Sequence, residues 1–131
     1  MLGIDTNVLI RYLMRDDQRQ YEQARRLIGR EVGKGEPVMV SLLVLLESER
    51  VLRSRYELPK SEIVMAFSAM LGTADLTFED EQSVEHAMYI WKESSADFAD
   101  CLIDARNLRL GCNATATFDS RALRLAGFVA V

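Results

Sequence analysis

Short apolar runs alternate with amphipathic stretches along all 131 residues, and this alternation restricts the fold more than any other feature. Leu2-Gly3-Ile4 reads as a buried strand that stops at Asp5. Thr6 or Asn7 then caps a helix bearing Val8, Leu9, Tyr12 and Leu13. The spacing of Tyr21, Ala24, Leu27 and Ile28 predicts a helix over about 17–33, closed by Gly33 and Gly35. Pro37 leads into strand Val38-Met39-Val40, after which Ser41 caps a helix over about 42–55. Ser61 opens a fourth helix, with Ile63, Phe67, Met70 and Leu71 in register and Gly72 as its stop. Leu76-Thr77-Phe78 reads either as a strand or as an extended connection. Helices over about 79–93 and 97–110 follow, with Gly111 just past the second. A strand at 114–118, a short helix at 120–125, a turn at Gly127 and a strand at 128–131 finish the chain. Strands alternating with helices predict an α/β fold with a mostly parallel sheet.

Residues 1–131 are read as one domain, since single domains run to roughly 100–200 residues. The longest apolar run, 42–46, is far short of the roughly 20 residues a membrane helix needs. No basic-then-apolar leader opens the chain, and Cys101 and Cys112 lack metal or redox spacing, so a cytoplasmic home with packed thiols is expected. His86 is the sole histidine, which excludes a His-based zinc site and a Ser-His-Asp triad. No phosphate-cradling glycine loop is present. Met65, Phe67, Met70, Met88, Tyr89 and Trp91 read as core, with any surplus left for a partner surface.

The charge is unevenly spread. The net charge is −4, yet residues 57–104 alone carry −9, and all thirteen arginines lie outside that segment. Arginine binds phosphate bidentately, so the chain combines an acidic middle with phosphate-binding flanks.

Five acids stand out by position. Asp5 ends the first strand, Glu47 lies in the second turn of the helix after 38–40, Asp97 and Asp100 open a helix, and Asp119 follows the strand 114–118. In an open parallel sheet the strand carboxyl ends share one edge, where ligands bind. Clustered carboxylates repel unless a cation joins them, and hard oxygen ligands select Mg²⁺ or Mn²⁺. Two such ions about 3.5–4 Å apart form a clamp for in-line attack at phosphorus. Each acid also has a plainer role. Asp5 and Asp119 suit helix caps, and Asp97 falls in the capping-box pattern Ser94-x-x-Asp97. Asp104, a turn deeper, reads as solvated. Glu47 shares a face with Leu43, Val44 and Val51 and is expected to point inward. Glu49, with Arg53 at i+4, reads as a surface pair.

The motifs match a known pattern. Gly3-Ile4-Asp5-Thr6-Asn7-Val8-Leu9 followed by Arg11-Tyr12-Leu13 resembles the opening of PIN domains, specifically the VapC-type toxins of bacterial toxin–antitoxin pairs. Leu43-Val44-Leu45-Leu46-Glu47 with Val51-Leu52-Arg53, then Ala96-Asp97-Phe98-Ala99-Asp100, then Thr117-Phe118-Asp119 resemble the later motifs, in order. After Asp119 many relatives continue with an acid and an aromatic, whereas Ser120-Arg121-Ala122-Leu123 follows here.

The resemblance implies a three-layer α/β/α PIN-like fold with a central, mostly parallel sheet. It implies a metal-dependent endoribonuclease that hydrolyses RNA with water, leaving 5′-phosphate and 3′-hydroxyl ends. Metal-binding acids are expected at Asp5, Glu47, Asp100 and Asp119, with Asp97 as an additional ligand or a helix cap, and Mg²⁺ or Mn²⁺ as cofactor, as two ions. Thr6, Asn7 and Thr117 are candidate donors that orient the carboxylates, and Arg11 and Arg15 are candidates for the RNA backbone. A homodimer and a cognate antitoxin with a basic tail are the implied partners. The alternatives are a PIN-like module that binds without cutting and a housekeeping RNA-processing nuclease.

Overall fold

The computed structural model describes residues 1–131 and bears out the alternation of strands and helices, with every strand pair parallel. This is the α/β class to which a three-layer PIN-like fold belongs. The chain forms two compact units, Met1–Glu79 and Asp80–Val131.

In the first unit, α1 (Thr6–Met14), α2 (Gln18–Gly33), β1 (Val38–Val40), α3 (Leu42–Ser54), α4 (Lys60–Leu71) and β2 (Leu76–Phe78) follow in order. Leu76–Phe78 is a true strand: Val38 pairs with Leu76 and Val40 with Phe78, and all four side chains are buried. Leu2-Gly3-Ile4 does not reach strand length. It makes a single parallel bridge from Gly3 to Met39, because Asp5 already caps α1. That cap replaces the expected Thr6 or Asn7, and Thr6 is instead the first helical residue. Ser41 caps α3 as expected, its hydroxyl accepting from the Val44 amide at 3.2 Å. The fourth helix starts at Lys60 behind Pro59, one residue before the expected Ser61.

The phase of α3 corrects the sequence reading. Leu45, Ser48, Glu49 and Leu52 form its buried face, while Leu43 is 77% exposed. Glu47 therefore does not point inward, and Glu49 is no surface residue. Its carboxylate is buried and accepts from the Arg53 guanidinium at 2.9 Å. The cause is the run 42–46, apolar all round, which carries no helical phase, while two polar residues sit on the face that packs.

The second unit contains α5 (Glu81–Lys92), α6 (Phe98–Arg109), β3 (Thr115–Thr117), a 3₁₀ turn (Ala122–Arg124) and β4 (Phe128–Ala130). Helix α5 packs on α6 around Val84, Met88, Trp91, Phe98, Cys101 and Leu102, and the Trp91 and Phe98 rings meet at 4.9 Å. Phe67, Met70, Met88 and Trp91 are core as expected, but Met65 and Tyr89 are exposed. Buried Asp80 caps α5, accepts from Arg106 at 2.8 Å and forms an ion pair with Arg109 at 2.5 Å. Helix α6 ends in a Schellman motif: Gly111 takes φ +95°, its amide donates to Leu108, and the Cys112 amide donates to Asn107. Cys112 is consequently exposed on this corner, not packed, while Cys101 is buried.

Asp104 is not left to solvent either. The Thr115 hydroxyl donates to it at 3.1 Å, and Gly127 lies so close that a Cβ there would stand 2.1 Å from its carboxylate. Gly127 also accepts from the Thr115 amide at 2.9 Å, which ties the last turn to β3. Gly127→Ala should therefore displace Asp104 and destabilise the protein by about 1–3 kcal/mol, as overpacking does. Urea unfolding checks this, and an unchanged midpoint would show that the carboxylate moves aside freely.

Candidate metal centre

Three carboxylates converge in the second unit. Asp97, Asp100 and Asp119 each place an oxygen so that all three atoms lie within 4.8 Å of one another. Asp97 and Asp100 are neighbours at i and i+3 where α6 begins. Asp119 comes from the loop that leaves β3.

That loop is held by its own hydrogen bonds. The Asp119 amide donates to the Thr117 hydroxyl at 3.0 Å, and its carboxylate accepts from the amides of Arg121 at 2.7 Å and Ala122 at 3.2 Å. Asp119 thus both caps the 3₁₀ turn and belongs to the cluster. Thr117 steadies the backbone of Asp119, in place of the expected donation to a carboxylate.

Asp97 occupies the N-cap position of α6, yet its side chain makes no capping hydrogen bond. The capping-box alternative therefore fails for its side chain, which is half exposed with Arg121 as a neighbour at 3.7 Å.

Asp100 and Asp119 differ in their electrostatics. Burial, then the charges of Asp119 and Asp97, push the Asp100 carboxyl above its usual range, and Arg121 offsets only part of this. Asp119 moves the other way: the amides of Ala122 and Arg121 hold it ionised below the usual carboxylate range. One fixed anion, one strained acid and one uncommitted carboxylate make an all-oxygen donor set suited to a hard divalent cation.

Asp5 and Glu47 lie in the first unit. Asp5 is exposed and accepts from the Val8 amide at 3.0 Å, and with Asn7 and Arg11 it lines a recess of about 300 Å³. Glu47 is gripped by Arg50 through two hydrogen bonds, which lower its pKa.

The two arginines expected to track RNA are engaged locally. Arg11 donates to Gln20 at 2.6 Å and to Asp16 and the Tyr56 hydroxyl at 3.3 Å. Arg15 lies beyond the helix as its left-handed C-cap, its guanidinium 4.6 Å from the centre of the Tyr21 ring. The sequence reading passed over Arg121, the cation nearest the cluster, although its place two residues after Asp119 marks it.

Among protein families, the PIN domain model matches residues 3–128, across both units. A search of curated proteins finds no match.

The strain on Asp100 has a measurable consequence. Because its folded pKa is raised, the charged form opposes folding, and stability is lost as pH rises through the carboxylate range. In metal-free buffer Asp100→Asn should raise Tm by a few degrees at neutral pH. The gain should vanish at acid pH, where Asp100 is protonated in both states. A Tm that falls at neutral pH would make Asp100 a structural residue.

Proposed function

The chain belongs to the PIN-domain family, and from that premise we propose that it is a metal-dependent endoribonuclease and the toxin of a toxin–antitoxin pair. The family's fold is that of metal-dependent nucleases. The observation that carries the reading is the convergence of Asp97, Asp100 and Asp119 beside a family match covering nearly the whole chain.

Asp97, Asp100 and Asp119 are the residues that would hold Mg²⁺ or Mn²⁺. A bound ion of this kind lowers the pKa of water and neutralises charge on a phosphodiester. Asp119, kept ionised by two amides, supplies a permanent negative charge to this centre. Asp100, whose pKa is raised by burial and by the charges of Asp119 and Asp97, would gain most from a bound cation. Asp5 and Glu47 are proposed as further acids on which cleavage depends, as the resemblance implies. The convergence of three acids favours cutting over a binding-only role, because such a module has no need of them.

The partners follow the same reading. RNA is the substrate. Leu43, Met65 and Tyr89 are 77%, 71% and 66% exposed and supply apolar surface for a homodimer. The net −9 of residues 57–104 suits a basic antitoxin tail, whose cation would compete with metal for the same carboxylates. No helix is long and apolar enough to cross a membrane, and the reading places the pair in the cytoplasm.

The test is cleavage of a mixed RNA pool with Mn²⁺ or Mg²⁺, and its loss on chelation. Glu47→Gln should lower the rate by about 10–100-fold with little change in Tm, as loss of a residue on which cleavage depends does. Glu49→Gln should do the reverse, lowering Tm by weakening the pairing of its buried carboxylate with Arg53 while keeping activity within about tenfold. The opposite pattern would transfer the catalytic role to Glu49. Expression with and without the neighbouring reading frame separates toxin from housekeeping nuclease: growth arrest relieved by the neighbour supports the first, and harmless expression the second.

A further inference from the structure

A second recess lies beside the carboxylates, wholly within the Asp80–Val131 unit. It measures about 320 Å³ and is lined by Ser94, Ser95, Arg121 and Arg124, with Glu93 also in its wall. We propose that Arg121 and Arg124 form a phosphate subsite that holds the RNA phosphate adjoining the one cut at the carboxylate centre. The proposal rests on the nuclease reading and adds to it the residues that position the strand.

Local structure explains why both arginines reach one recess. They stand three apart around the 3₁₀ turn, and in such a turn residues at i and i+3 eclipse one another. Two anchors fix the turn. Ala122 is fully buried, and the amides of Arg121 and Ala122 donate to the Asp119 carboxylate. The acid that belongs to the metal centre therefore also anchors the backbone of the turn that carries the two arginines.

Arg121 is lightly held. Its guanidinium stands 3.7 Å from Asp97, beyond hydrogen-bond range, and both side chains are more than half exposed. An exposed pair of this kind contributes little and breaks readily. Arg106 and Arg109, by contrast, are fixed on buried Asp80 at 2.8 and 2.5 Å. A cation on Asp97, Asp100 and Asp119 would neutralise the charge that draws Arg121, leaving its fork for phosphate. Guanidinium binds phosphate bidentately, and exposed Ser95 in the wall adds a neutral donor. Glu93 repels phosphate from its own part of the wall, so the arginine end sets the position.

The experiment compares wild type with Arg121→Gln, Arg124→Gln, the double variant and Arg124→Lys, all checked by thermal melts. Cleavage of a single-stranded RNA is measured in Mn²⁺. Binding of a labelled copy of the same RNA is measured against salt in an Asp100→Asn background. Each glutamine variant should raise KM about tenfold with kcat within about twofold, and flatten the slope of log K against log salt by about 0.7 per lost contact. Arg124→Lys should restore part of the affinity. Arg121→Gln should also tighten Mn²⁺ binding by removing a competing cation, a readout independent of cleavage.

Unchanged KM and salt slope in an active enzyme would overturn the subsite and leave the nuclease reading standing. So would a fall in kcat at constant KM. If wild type cuts no RNA, the nuclease reading fails, and the salt slopes still decide whether the arginines hold phosphate.

Discussion

The convergence of Asp97, Asp100 and Asp119 is the constraint on which the account of the second unit depends. Three carboxylate oxygens lie within 4.8 Å of one another, and burial, then the charges of Asp119 and Asp97, raise the pKa of Asp100. They stay together because their backbones are fixed elsewhere. Phe98, Cys101, Leu102 and Ala105 bury one side of α6 and leave Asp97 and Asp100 at its entrance. The Thr117 hydroxyl and two loop amides fix Asp119. Packing opposes the electrostatics of the metal-free site, and a divalent cation would relieve that opposition.

Under the proposed function, the same argument reconciles an acidic protein with a polyanionic substrate. Carboxylates exclude phosphate until a cation occupies them, and then attract it. Arginines outside the acidic segment serve two ends. Arg50, Arg53, Arg106 and Arg109 are bound to carboxylates of their own unit and stabilise local structure. Arg121 is loosely paired, and Arg124 lines the recess beside it.

Much of this was legible in the residues. Ser41, Gly72 and Gly111 marked helix limits because each has a local physical role that needs no tertiary partner: a hydroxyl cap, a helix stop and a left-handed corner. The i, i+3 spacing of Asp97 and Asp100 and the place of Asp119 after a strand were enough to bring three acids together. What escaped was tertiary. The phase of α3 could not be read from five consecutive apolar residues, so Glu47 and Glu49 exchanged their expected surroundings. Arg11 looked free because its partners, Asp16, Gln20 and Tyr56, are gathered only by the fold. Asp104 looked solvated because Thr115 and Gly127 reach it from distant positions.

The central claim, that Asp97, Asp100 and Asp119 form a cation site, is tested most directly by titrating Mn²⁺ into metal-free protein while following binding heat and Tm. The account predicts saturable binding and a stabilisation of about RT ln(1 + [Mn²⁺]/Kd), read as a Tm that climbs with metal. Both effects should be lost in Asp119→Asn, whose fold is retained. A wild-type protein that shows neither heat nor a Tm shift at high millimolar Mn²⁺, or a variant that binds as well as wild type, would contradict it.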